Sequence, residues 1–159
     1  MKQLSLVFAV CAVLGLSACS EQAAETTAST QAAVTVPAGS DKAEWNKYMN
    51  AVIKPHFIKG ETMRVWPYLV IPSETEENAR KLDALRQSVV NGLQAGQLFV
   101  YLGPDSTATA DLILEGFKEA KPDSLTRSTL LFVGKRADEE RVKTVVAASG
   151  MSFKFHPVD

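Results

Sequence analysis

Six side chains lie where short polar turns interrupt apolar runs: Ser73, Asp105, Ser106, Thr107, Lys135 and Arg136. Their types are those that hold anions or carry acyl and proton transfer. Gly103-Pro104-Asp105-Ser106-Thr107 offers two hydroxyls and backbone N–H groups at a helix start, and Gly134-Lys135-Arg136 adds two adjacent cations. Together they suit a bound anion. Pro72-Ser73 is a third turn of the same kind. A nucleophilic reading would recruit Ser, Asp and Lys from these turns. Ordinary turn and cap chemistry explains the same residues, and it weighs more than either site.

Other constellations are thinner. No glycine-rich dinucleotide fingerprint follows the first apolar run, no phosphate-binding Gly-x-x-x-x-Gly-Lys occurs, and no Gly-x-Ser-x-Gly elbow is present. The two histidines, His56 and His156, have no ligand-type partner four residues on. His56 falls just past a helix C-terminus, where a cation is favourable. The acidic groups Glu74/Glu76/Glu77 and Asp138/Glu139/Glu140 fall in first helical turns, where the helix dipole favours negative charge. The expectation is no catalytic residue, no metal ligand and no cofactor.

The elements that must position these turns are read from periodicity. Trp45, Tyr48, Met49, Val52 and Ile53 recur at helical spacing over about Asp41–Lys54, with Ser40 as the expected cap and Pro55 as the stop. Val65 to Ile71 is a nearly continuous apolar run, as in a strand buried on both faces. Pro67 cannot donate to a ladder, so pairing is expected to begin after it or to bulge there. Ser73-Glu74-Thr75-Glu76 has the form of a capping box. The helix it opens carries Ala79, Leu82, Leu85, Val89 and Leu93, with Gly96 as the expected C-terminal cap.

Leu98–Leu102 and Thr129–Val133 are two further apolar strands. Between them lies a helix with Ala110, Ile113, Leu114 and Phe117 on one face; Gly116 weakens it by about 1 kcal/mol relative to Ala. A last helix points Val142, Val145 and Val146 inward and ends at Gly150. In Met151–Phe155 apolar and polar residues alternate, as at a sheet edge. The order α-βαβαβαβ predicts an α/β three-layer sandwich: a four-stranded, mainly parallel sheet, helices on both faces, and an extra N-terminal helix. The expected strand order is 2-1-3-4. Ligands in such sheets bind at the carboxyl ends of strands beside a topological switch, which is where the six residues fall.

The N-terminus is more specific. Met1-Lys2-Gln3 is followed by an uncharged run, Leu4 to Ala18, of about 15 residues, too short to span a membrane. It closes on Leu16-Ser17-Ala18-Cys19. This resembles the signal peptide and lipobox of bacterial lipoproteins, over residues 1–19 alone. The resemblance implies cleavage of residues 1–18 and lipidation of Cys19, with diacylglycerol on the thiol and an acyl chain such as palmitate on the new amino group. Two or three acyl chains give stable anchoring where one is marginal. Ser20 in place of Asp implies, by the same resemblance, the outer membrane, with the periplasmic face expected.

Cys11 falls within the removed segment and Cys19 is capped, so the mature chain is expected to hold neither thiol nor disulfide. Residues 19–40, rich in Ala, Thr, Ser, Gln and Glu, read as a disordered tether. As a coil it averages roughly 25 Å and reaches about 70 Å at most. Residues 41–159 form a single α/β domain. Without Lys2 the 17 basic residues become 16, and without Glu21 and Glu25 the 18 acidic residues also become 16. A neutral domain carries no footprint for nucleic acid, and the sequence shows no basic amphipathic face for lipid.

These readings converge on a membrane-anchored periplasmic lipoprotein whose domain is a non-enzymatic binding or adaptor module with a protein partner in the cell envelope. Two alternatives stay open: an immunity-type inhibitor of a periplasm-targeted toxin or cell-wall hydrolase, and a small envelope enzyme using strand-end Ser, Asp and Lys.

Overall fold

The computed structural model describes residues 35–159. Residues 1–18, expected to be a leader, Cys19 and most of the 19–40 segment lie outside the described residues. The elements are α1 (Lys42–Ile53), a 3-10 turn (Lys54–His56), β1 (Arg64–Leu69), α2 (Thr75–Asn91), β2 (Gln97–Leu102), α3 (Ser106–Gly116), β3 (Ser128–Gly134), α4 (Arg136–Ala148) and β4 (Ser152–Pro157).

All four strands are parallel, and their order is β1-β2-β3-β4. Right-handed crossovers that each step the same way lay their helices on one face. Accordingly Leu85 and Val89 of α2, Ala110 and Ile113 of α3, and Val142 and Val146 of α4 share one core with Phe99, Tyr101, Leu130 and Phe132. Among the described residues α1 is the one helix on the opposite face, where its Trp45, Tyr48, Met49 and Val52 pack on Leu98, Val100, Leu102, Leu131 and Val133. The three-layer α/β architecture follows, with three helices on one side and one on the other.

Register gives the two faces different chemistry. Tyr68, Tyr101, Phe132 and Phe155 lie abreast across all four strands. The neighbouring row on the same face is Trp66, Phe99, Leu130 and Phe153. The α1 face is aliphatic in its centre and turns polar at β4, with Lys154 beside Leu131 and His156 beside Val133.

The expected order 2-1-3-4 is overturned, and Pro67 supplies the reason. The Val70 N–H donates to the Leu102 carbonyl at 2.8 Å. Strand parity then turns odd-numbered Pro67 toward the free edge, where a missing N–H costs no ladder bond. Pairing therefore runs through Pro67, opposite Val100, with no bulge. An interior β1 would leave a neighbour's carbonyl unpaired. For the same reason β1 is half-buried rather than buried on both faces. A sheet in sequential order also has no topological switch, which removes the fold-level argument for a ligand at the carboxyl ends.

Several boundaries shift. Asp41, not Ser40, caps α1, its Oδ1 accepting the Glu44 N–H at 2.9 Å. Residues before Asp41 also pack on the domain: Val36 meets the second core, and the Trp45 indole N–H donates to the Gly39 carbonyl at 2.6 Å. Ser73 caps nothing. The Glu74 N–H donates to the Ile71 carbonyl at 2.9 Å, closing a turn whose exposed corner is Pro72-Ser73. Helix α2 starts at Thr75 with Glu74 at its N-cap and no side-chain cap bond. Gly92, at φ 80°, ends α2, where Gly96 was expected. Gly96 instead ties the strands together, accepting from the Met63 and Arg64 N–H groups and donating to the Arg127 carbonyl.

Candidate functional site

The carboxyl ends of β2 and β3 bring Ser106 and Lys135 together. Asp105 caps α3, its Oδ1 accepting the Ala108 N–H at 3.0 Å. This sets Ser106 at the first position of the helix, facing the start of α4. The Ser106 hydroxyl donates to Asp138 Oδ2 at 2.5 Å and accepts the Lys135 N–H at 2.8 Å. Gly134 has no side chain because Ser106 and Phe132 occupy that space: a Cβ there would lie 2.6 Å from the Ser106 Oγ and 2.3 Å from the Phe132 ring.

Asp138 completes the cluster. Arg141, one turn further along α4, donates to Asp138 Oδ1 through Nε at 3.0 Å and Nη2 at 2.7 Å. It also reaches Asp111 at 2.5 Å and the Thr107 carbonyl at 3.2 Å. Burial works against the Asp138 charge, but the hydrogen bonds from Ser106 and Arg141 and the Arg141 charge outweigh it, and its pKa lies below the ordinary carboxylate value. The carboxylate is therefore a fixed anion held between two helices.

This geometry fixes what the six residues can do. Ser106 is 4 % exposed, with its hydroxyl engaged as donor and as acceptor. It has no proton acceptor other than a carboxylate already held by arginine. The Arg136 N–H, at the start of α4, points to the Asp159 carboxylate at 3.3 and 3.2 Å. A carboxylate of the chain itself thus lies at this helix start. Thr107 joins through its carbonyl, which accepts from Arg141, and its side chain helps to hold the Asp138 charge. The side chains of Lys135 and Arg136 stay exposed, and Ser73 is exposed in a separate turn with no hydrogen bond to the others.

Beside β1, Lys81 donates to the Leu69 carbonyl at 2.5 Å and the Asn78 amide to the Ile71 carbonyl at 2.7 Å. Both side chains of α2 thereby satisfy carbonyls at the end of the edge strand. Burial lowers the Lys81 pKa despite Glu77 and Glu74 nearby.

The other end of the sheet holds a polar cleft of about 230 Å³. It opens on the α1 face, past the end of the 3-10 turn. Gly96, Gln97, Leu98, Ser128 and Thr129 form its floor, and His56, Arg127 and Lys154 stand around it. Burial, then the charges of Lys154 and His156, lower the His56 pKa. His156 is itself lowered by burial and meets Tyr48 edge-on, ring centroids 6.3 Å apart. These groups come from three segments separated by some 70 and 30 residues, which is why no local motif announced them.

Among the described residues no three His, Cys, Asp or Glu side chains group as a metal site, and no helix is long and apolar enough to cross a membrane. Comparison with known proteins finds no family model, no curated protein and no solved structure that matches the chain.

Proposed function

We propose that this chain is a lipid-anchored lipoprotein of the bacterial cell envelope, held at the outer membrane through Cys19, whose α/β domain binds a protein partner and carries out no reaction of its own. The anchor rests on the lipobox-like Leu16-Ser17-Ala18-Cys19 after an uncharged run. One observation carries the non-enzymatic reading: the Ser106 hydroxyl, the best placed nucleophile at the strand ends, is buried and spent on Asp138 and the Lys135 N–H. A serine nucleophile needs a free base and access to substrate. Here its carboxylate neighbour is neutralised by Arg141.

Crosslinking in intact cells followed by identification of the captured species tests this reading. It predicts one abundant protein partner, lost when Cys19→Ser releases the chain from the membrane. Capture of peptidoglycan alone, or of nothing, contradicts it. Asp105→Ala and Lys135→Ala are expected to leave the cellular phenotype intact, since a reaction using strand-end groups would need them.

A further inference from the structure

The cleft at the amino ends of the strands is electrostatically unbalanced. Arg127 and Lys154 line it against one carboxylate, Glu61, and the His56 imidazole stands beside them as a further hydrogen-bonding group. Among the described residues none of these four side chains takes part in an ion pair. The opposite end of the sheet differs: there Asp138 and Asp111 meet Arg141, and Glu74 meets Lys42. The cleft has room for a phosphate and the first atoms of its ester groups, and too little for a whole lipid.

Its lip is apolar. Among the described residues four large hydrophobic side chains are exposed, and three of them lie in this one segment: Phe57 at 49 %, Ile58 at 43 % and Met63 at 77 %. Ile58 lines the cleft, Phe57 stands between two lining residues, and Met63 lies against the floor residue Gly96. Lys54 and Lys59, both exposed, flank Phe57 and Ile58 in the chain. A water-soluble anion would explain the cations but not this apolar lip. Cations beside exposed apolar side chains match an interface of anionic headgroups over acyl chains.

We infer that this end of the domain docks on an anionic phospholipid surface, with a headgroup phosphate held by Arg127, Lys154 and His56 while Phe57, Ile58 and Met63 enter the interface. The docking is a second contact with the bilayer, within the envelope setting proposed above, but it does not require lipid on Cys19. Nor does the anchor prevent it. The start of α1 lies at the other end of the sheet, where Lys42 pairs with Glu74. The chain from Cys19 to Thr35 can extend about 50 Å, against roughly 20 Å for a six-residue strand.

Both cores described above are built from residues between Val36 and Val158, so the fragment 35–159, lacking Cys19, is the one to test. Co-sedimentation is measured with vesicles of phosphatidylcholine alone and with one-third phosphatidylglycerol. Binding to the anionic vesicles is expected to be more than about tenfold stronger and to fall with added salt. Arg127→Gln with Lys154→Gln removes about tenfold or more of that preference. Phe57→Ser with Met63→Ser weakens binding to both vesicle types without changing the thermal melt, since both side chains are exposed. Equal binding to the two vesicle types, or binding indifferent to both pairs of substitutions, overturns the inference. So does a fragment whose Arg127 and Lys154 signals respond to inorganic phosphate while vesicles fail to bind it: the cleft would then take a soluble anion. Because Cys19 is absent, failure here leaves the lipid-anchor reading untouched.

Discussion

The Ser106 hydroxyl donates to Asp138 Oδ2 at 2.5 Å, joining the first turn of α3 to the first turn of α4 across 32 residues of sequence. The bond is buried, and its acceptor is also held by Arg141. Ser106→Ala therefore leaves a buried carboxylate and the Lys135 N–H each one partner short. A loss of about 1–3 kcal/mol is expected in urea unfolding. A double-mutant cycle with Asp138→Asn should give a coupling of about 0.5 kcal/mol or more. Independent, additive effects would mean that the bond is absent in solution.

Asp138 also fixes an acid limit on stability. Its folded pKa lies below the ordinary 3.8, through the hydrogen bonds from Ser106 and Arg141 and the arginine's charge. The unfolded chain binds a proton first as pH falls. This stabilisation is complete above about pH 5 and is lost as pH drops through 3.8 toward the folded value. Stability measured between pH 6 and pH 3 should fall less steeply in Asp138→Asn than in the parent. Parallel curves would contradict the assignment.

Gly116 makes the opposite kind of contact. A Cβ at this position would lie 2.3 Å from a methyl of Leu85, so α2 rests directly on the α3 backbone. Helix propensity alone favours Gly116→Ala by about 1 kcal/mol. Overpacking is expected to reverse the sign and leave a net loss of about 1–2 kcal/mol. Pairing the substitution with Leu85→Ala should relieve part of that loss, a rescue that thermal unfolding can read.

Tyr101 is fully buried in the aromatic row, its ring 4.7 Å from that of Tyr68, and its hydroxyl has no hydrogen-bond partner among the described residues. Burial, then the proximity of Tyr68, pushes its pKa well up. Removing an orphaned buried hydroxyl is neutral or stabilising. Tyr101→Phe should raise the urea midpoint by the equivalent of about 1 kcal/mol. A loss of similar size would reveal an unseen partner for the hydroxyl.

The class of fold was legible because it depends on long apolar segments. The runs at 98–102 and 129–133 became the two central strands, β2 and β3. Strand order was also legible in principle, through Pro67: a proline inside a strand calls for an edge, yet the apolar run around it suggested the interior. Apolar content alone does not separate an interior strand from an edge; the direction of each backbone N–H does. Ser73 failed differently. Its spacing to Glu76 fits a capping box, but the preceding strand ends in a turn that uses Ser73 as a corner. Gly116 looks like a weak helix position in sequence because the contact that requires it, Leu85, lies 31 residues away. The cleft was the least legible feature, since His56, Arg127 and Lys154 meet only after the 3-10 turn, the β3 entry and β4 are brought to one end of the sheet.

The lipid on Cys19 is the claim on which the account of function turns, and a mass spectrum of the N-terminal peptide of the mature protein from a bacterial host tests it most directly. The account predicts a chain that begins at Cys19, carrying diacylglycerol on sulfur and an acyl chain on the amino group, and that becomes unprocessed or soluble in Cys19→Ser. A mature chain that keeps residues 1–18, or one cleaved elsewhere with an unmodified Cys19 thiol, would contradict it.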